Sequence, residues 1–166
     1  MNEIFTRRSI RRYVDKPVEQ EKIERLLKAA MQAPSAGSQR PWEFIVVQDK
    51  ERLAQLAQAS PYAGPTKDAP LAIVVLANRS ALKFPENWQM DVSAATENML
   101  LEAVHLDLGA VWLGVAPVAE RMEHVRAVFK LPMDLLPFAI VPIGYPVDGN
   151  HYINRFEPEK IHYEQY

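Results

Sequence analysis

The sequence predicts a single α+β domain, and three observations point there. Four stretches rich in β-branched and apolar residues read as strands, at 43–48, 71–77, 109–117 and 136–146. Around them, apolar residues recur at helical spacing, most clearly at 19–32, 88–108 and 119–129. The length of 166 residues, with 48% hydrophobic and 24% charged, suits one domain with a substantial core. No internal repeat or low-complexity run marks a second unit, so 1–166 is read as one domain.

Residues 2–8 are expected to form a short helix with Ile4 and Phe5 on its buried side. Next comes Arg7-Arg8-Ser9-Ile10-Arg11-Arg12-Tyr13, a concentration of cations in a chain of net charge -2. Arginine forks match the oxygens of a phosphate, and a serine hydroxyl adds a short donor beside them. From this stretch alone, a phosphate anchor and a basic surface turn are equally good readings. Pro17 breaks any helix here. In 19–32, Ile23, Leu26, Leu27, Ala30 and Met31 recur at helical spacing and should face inward. The stretch Pro34-Ser35-Ala36-Gly37-Ser38-Gln39-Arg40-Pro41-Trp42 is a loop by composition. Its small residues would let backbone approach a flat ligand, although most such loops only join a helix to a strand.

The strand at 43–48 is followed by a short helix at 50–59 and a proline-rich loop at 61–70. The apolar run at 71–77 reads as a central strand. A connection at 78–87 carries Phe84-Pro85 as a candidate rim or lid. The helix at 88–108 is apolar on two sides, with one stripe through Trp88, Val92, Ala95, Met99, Ala103 and Leu106. The other runs through Ala94, Leu101, Val104 and Leu108. Such a helix either crosses the centre of the domain or faces a second subunit. The acidic Asp91, Glu97, Glu102 and Asp107 are expected on its wet edge or at helix contacts. A strand at 109–117, a helix at 119–129 and a strand at 136–146 follow; the prolines of the last suggest an edge position or a bulge. From Val147 on, the chain is polar with scattered aromatics and reads as an extended arm.

Much chemistry is missing. Without cysteine there is no disulfide, thiolate-bound cluster or cysteine nucleophile. The four histidines lack metal-ligand spacing, so no metal is expected. There is no serine-hydrolase elbow, Walker loop or Rossmann fingerprint. The N-terminus lacks the core of a signal peptide and no apolar run would span a bilayer, which fits a cytoplasmic protein. The near-neutral net charge argues against nucleic acid as the main partner. A mainly apolar domain with a phosphate anchor and no evident catalytic side chain suggests that a cofactor carries the reaction.

Read together, the segments resemble the flavin-dependent nitroreductase family over nearly the whole chain. The matching motifs are the arginine stretch after a short helix and 30–42 ending Gln39-Arg40-Pro41-Trp42. Next come the buried long helix followed by Gly109-Ala110-Val111-Trp112-Leu113-Gly114, and Pro142-Ile143-Gly144-Tyr145-Pro146 followed by Arg155. The resemblance implies a three-layer fold, a mainly antiparallel sheet flanked by helices. It also implies a C-terminal arm lying on the partner of a homodimer, and FMN at the subunit interface. By the same resemblance Arg7, Arg8, Ser9 and Arg11 would hold the phosphate, the ribityl chain and the pyrimidine side, with Arg155 joining at the phosphate. The loop Pro34, Ser35, Ala36, Gly37, Ser38 and Gln39 would reach over from the partner. Leu113 and Gly114 would present backbone to the isoalloxazine, with the Gly114 amide near N5. Relatives often carry asparagine where this chain has Ser38. The implied activity is ping-pong transfer of a hydride from NAD(P)H to nitroaromatic, quinone or flavin acceptors. No protein side chain acts as the catalyst in that scheme. Dehalogenating, heterocycle-oxidising and flavin-fragmenting relatives mark an alternative, and a non-enzymatic basic-patch module is another.

Overall fold

A computed structural model describes residues 2–166. Five strands make one antiparallel sheet: β1 (Trp42–Val47), β2 (Leu71–Asn78), β3 (Gly109–Ala110), β4 (Leu113–Gly114) and β5 (Leu135–Gly144). Their order is β1-β2-β5-β3, with β4 also on β5. Residues alternate across a strand, so β2 feeds two cores. Leu71, Ile73, Val75 and Ala77 pack with helices α2 (Gln20–Met31) and α4 (Trp88–His105). Ala72, Val74 and Leu76 pack with α3 (Lys50–Leu56) and α5 (Ala119–Phe129). The result is helix, sheet, helix in three layers. The segment 71–77 is the central strand that its unbroken apolar run predicts.

Two strand expectations need correction. The segment 109–117 does not form one strand; it splits into β3 and β4. The register against β5 runs straight across the gap and sets Val111 opposite Pro142. Proline has no N–H to give back, so the ladder fails there. The Pro142 carbonyl still accepts from the Val111 amide at 3.3 Å and from the Tyr13 hydroxyl at 3.1 Å. The second correction concerns β5 itself, which is an interior strand, buried over nearly its whole length, and not an edge. The expected bulge is present: Val75 faces Ala139 while Leu76 faces Pro137. Phe138 is thus the extra residue, and its ring packs edge-on against Trp88 at 5.9 Å and Trp112 at 5.5 Å between centroids.

The helices follow the apolar spacing with exceptions. Helix α1 is the single turn Glu3–Thr6, and Ile4 and Phe5 are more than half exposed, contrary to their expected burial. One turn resting on α4 cannot cover both. Met31 is half exposed, also against expectation. It lies about 100° round the helix from Ala30, away from the Ile23, Leu26 and Ala30 stripe. On α4, Val92, Ala95, Met99 and Ala103 are fully buried, whereas Ala94, Leu101 and Val104 on the other face are half-buried. A groove of about 520 Å³ runs along this open face between α1, α2 and α4.

Tyr145, just past β5, ties the sheet to the start of α2. Its hydroxyl donates to the Glu19 carboxylate at 2.6 and 2.9 Å, and Lys16 sits over its ring at 3.8 Å. The hydrogen bond from Tyr145, more than any other contact, holds the Glu19 carboxyl down at about 2, below its ordinary 4.5. The tail is anchored at its root: Arg12 pairs with Asp148 at 2.7 Å, and Asn150 bonds the Arg8 amide at 3.1 Å and the Leu108 carbonyl at 3.0 Å. Residues 151–166 are exposed throughout.

Two outcomes follow. A depressed carboxyl adds stability that is complete above its unfolded value and lost as pH falls through the folded one. Tyr145→Phe should therefore be less stable than the parent at neutral pH, with the gap shrinking below pH 4.5 and closing below about 2. Urea titrations across that range check it, and a constant gap would refute the assignment. A Cβ on Gly109 would stand 2.7 Å from Ile10 atoms. Gly109→Ala should therefore cost about 2 kcal/mol in the same assay, from overpacking.

Candidate functional site

The arginine stretch is held against the sheet by its one apolar residue. Ile10 is buried on the bare face of Gly109, its amide donates to the Ala110 carbonyl at 2.9 Å, and Ser9 bridges Ala110 in parallel. The stretch therefore runs as a short addition to the β3 edge, and its arginines separate into two groups.

Arg7, Arg8 and Arg155 form the first group. The Arg7 Nε lies 3.4 Å from the Glu97 carboxylate on α4. Arg8 is buried; its guanidinium donates to the Phe5 carbonyl at 3.1 Å and to the Arg7 carbonyl, and its Nε is buried without a partner among the described residues. Burial first, then the charges of Arg155 and Arg7, push the Arg8 guanidinium below its ordinary range. Arg8 and Arg155 share a cavity of about 410 Å³ walled by Phe5, Tyr152 and Phe156. Neither has a carboxylate within 4.0 Å among the described residues. A buried cation between two others, with a donor left over, fits an anion with several acceptor oxygens.

Arg11 belongs to the second group. It donates to its own Ser9 carbonyl at 3.2 Å and lines a cavity of about 410 Å³ with Trp112, Leu113 and Gly114. The Leu113 side chain is buried in the core, so only its backbone can meet a ligand. Gly114 is exposed, and a Cβ there would meet nothing within 4 Å. Ser9 is exposed beside Arg8 and Arg11.

The loop 34–39 lies elsewhere. It precedes β1, at the opposite edge of the sheet from β3 and β4, with β2 and β5 between. Ala36–Ser38 is a tight turn in which Gly37 and Ser38 have φ of 52° and 55°, and Arg40 just after it has φ of 46°. The ring of Phe84 lies on Gly37 where a Cβ would collide. Gln39 was expected to contact a cofactor, but its buried side chain is committed inside the chain. Its Oε1 accepts from the amides of Lys83 at 2.8 Å and Phe84 at 2.9 Å; its Nε2 donates to Asp91 at 2.5 Å and to the Phe84 carbonyl at 3.3 Å. All four positions of the amide are taken, so the Gln39 side chain shapes the loop and leaves only backbone for a ligand. Pro34, Gly37 and Ser38 are exposed, and Ser35 and Ala36 half-buried. The Ser35 hydroxyl accepts from the Arg40 amide at 2.9 Å.

Asp91 is the residue that sequence reasoning misplaced. It is buried, not on a wet helix edge, and its other oxygen accepts from the Ala36 amide at 2.8 Å. A carboxylate set between Met90 and Val92 at the start of an apolar stripe was the available signal. Arg121 and Tyr62 were also missed; both line the Arg11 cavity, and no spacing announces them. No group of His, Cys, Asp or Glu that could hold a metal exists among the described residues. No helix there is long and apolar enough to cross a membrane.

Comparison with known proteins adds the following. A family model described as "Nitroreductase family" matches residues 4–63 and 60–145. A protein of Methanothermobacter thermautotrophicus, provisionally named an NADH dehydrogenase/NAD(P)H nitroreductase, is 45% identical over 98% of this chain and 85% of its own. A crystal structure from Clostridium acetobutylicum, provisionally named an NADH oxidase, is 52% identical with a TM-score of 0.97, covering 99% of both chains. A provisionally named nitroreductase from Desulfovibrio desulfuricans, solved in complex with FMN, is 31% identical with a TM-score of 0.85. It covers 99% of this chain and 96% of that one.

Asp91→Ala would leave the Ala36 amide and the Gln39 side chain without their charged acceptor. The variant should lose about 3 kcal/mol of stability. Amide exchange in β2 should accelerate only as far as the global loss of stability requires, whereas at Ala36 and through the loop it should approach the rate of an open segment; unchanged exchange at Ala36 would show that the clasp does not hold it.

Proposed function

The chain belongs to the nitroreductase family, and on that footing we propose that it is an FMN-dependent NAD(P)H oxidoreductase. The observation that carries this reading is the pair Arg8 and Arg155 lining one cavity, with no carboxylate partner for either among the described residues. Doubly charged phosphate suits that donor set, with Arg7 and Ser9 beside it. Arg11 stands by the exposed backbone of Leu113 and Gly114, where a flat ring system can lie against bare backbone. A fixed cation there favours a reduced, anionic ring. When bound, FMN would take a hydride at N5 from NAD(P)H and return two electrons to an acceptor.

The chain's own part is to bind, orient and exclude water; no side chain need act as nucleophile. Reductant and acceptor would use one open cavity in turn, in ping-pong order. For a nitroarene, the net reaction consumes NAD(P)H and one proton and yields the nitrosoarene, NAD(P)+ and water. For a quinone, the same donors yield the hydroquinone and NAD(P)+.

A homodimer is part of the proposal. Within one chain the loop 34–39 and the Arg11 cavity sit at opposite sheet edges, so only a second copy can bring the exposed Pro34, Gly37 and Ser38 and the half-buried Ser35 and Ala36 to that cavity. The half-buried second face of α4, the groove along it and the exposed arm supply a surface for that copy.

The test compares FMN with riboflavin, which lacks the phosphate. The protein should bind FMN with a visible absorption band and prefer it to riboflavin. Arg155→Ala, at an exposed position, should weaken FMN about tenfold and leave riboflavin affinity as it was. Equal affinity of the parent protein for both would reject the phosphate assignment.

A further inference from the structure

The cavity beside Gly114 holds a second cation that the flavin reading does not use. Arg121, in the first turn of α5, lines it together with Arg11. Its guanidinium donates to the Gly114 carbonyl at 3.0 Å and lies 6.0 Å from the centre of the Tyr62 ring. Tyr62 and Trp112 are the aromatic residues of the same cavity, and no Asp or Glu lines it.

Two guanidiniums thus face one space of about 410 Å³. Among the described residues neither has a carboxylate within 4.0 Å, and unlike the equally unpaired Arg40, Arg52 and Arg79 the two line one cavity together. Each makes one hydrogen bond, to a backbone carbonyl of its own wall. That bond fixes the head group and leaves most of its five donors unused. Like charges so placed repel each other, and an entering anion relieves the repulsion while gaining charge-assisted bonds. Planar aromatic walls favour a planar aromatic guest.

We propose that this cavity selects aromatic electron acceptors bearing a carboxylate, with Arg121 as the residue that reads the charge. The inference rests on the oxidoreductase reading above for what happens to the acceptor, but not for its binding.

The experiment uses the FMN-loaded protein with NADH and two near-isosteric acceptors, 4-nitrobenzoate and the neutral 4-nitrobenzamide. The ratio of their kcat/KM values is measured for the parent, Arg121→Gln and Arg121→Lys. Intrinsic reducibility cancels when ratios are compared between proteins, as does any loss common to both acceptors. The ratio should fall about tenfold in Arg121→Gln, one charge-assisted contact, and recover in part in Arg121→Lys. Added salt should erode the parent's preference. An identical ratio in parent and Arg121→Gln overturns the proposal. So does a rise in the KM for NADH with no change in the ratio, which would assign Arg121 to the reductant. A calorimetric titration of 4-nitrobenzoate without NADH gives a readout free of turnover. Binding about tenfold weaker in Arg121→Gln sustains the proposal, and equal or absent binding sinks it. If neither acceptor is turned over while this binding difference holds, the nitroarene part of the oxidoreductase reading fails and the anion site stands.

Discussion

A single missing N–H shapes the edge of this sheet where the candidate site forms. Pro142 sits inside β5 and cannot donate to the strand beside it, so pairing stops between Ala110 and Leu113. Either side of that gap the chain does different things. Before it, β3 accepts the arginine stretch through Ala110. Beyond it, Trp112 turns to the ring of Phe138, and Gly114 is left exposed beside Arg11 and Arg121. Phe138 is itself the bulged residue of β5, so two irregularities in one central strand cooperate. A regular ladder would have paired this edge along its length, with no break between Ala110 and Leu113.

Charge is organised around the same edge. The chain is slightly acidic as a whole, yet among the described residues Arg8, Arg11, Arg121 and Arg155 lack carboxylate partners, as do Arg40, Arg52 and Arg79 away from the two cavities. Arg12 and Arg25, by contrast, pair with Asp148 and Glu102 at 2.7 Å each. Unneutralised cations near one another are costly in a folded protein, most of all when one is as buried as Arg8. Their separation into two cavities, one by the tail and one by Gly114, matches a ligand anionic at one end with a flat ring at the other.

The sequence made the layers legible because burial has a period. The apolar run at 71–77, the α2 stripe and the buried face of α4 each repeat on the geometry of their element. The site was legible in part, because the arginine stretch and the Gly114 segment carry local composition that stands out. Gln39 and Asp91 did not, since they meet across more than fifty residues and neither residue's neighbours hint at the other. Ile4 and Phe5 misled for another reason: apolar character signals contact but does not say whether the contact is within the chain. The break at 111–112 depended on a proline thirty residues away, which only the register could bring opposite Val111.

The tail beyond Asn150 belongs to neither core, and Asn150 itself holds the root in place. Arg155 is therefore carried on a segment whose removal would touch no packed side chain of either core. Nicking the backbone just past that root would leave both cores of the subunit whole, while taking the Arg155 guanidinium from beside Arg8. The packing of the subunit and the charge beside Arg8 are in this way housed in different parts of one short polypeptide, and either can drift without the other registering it.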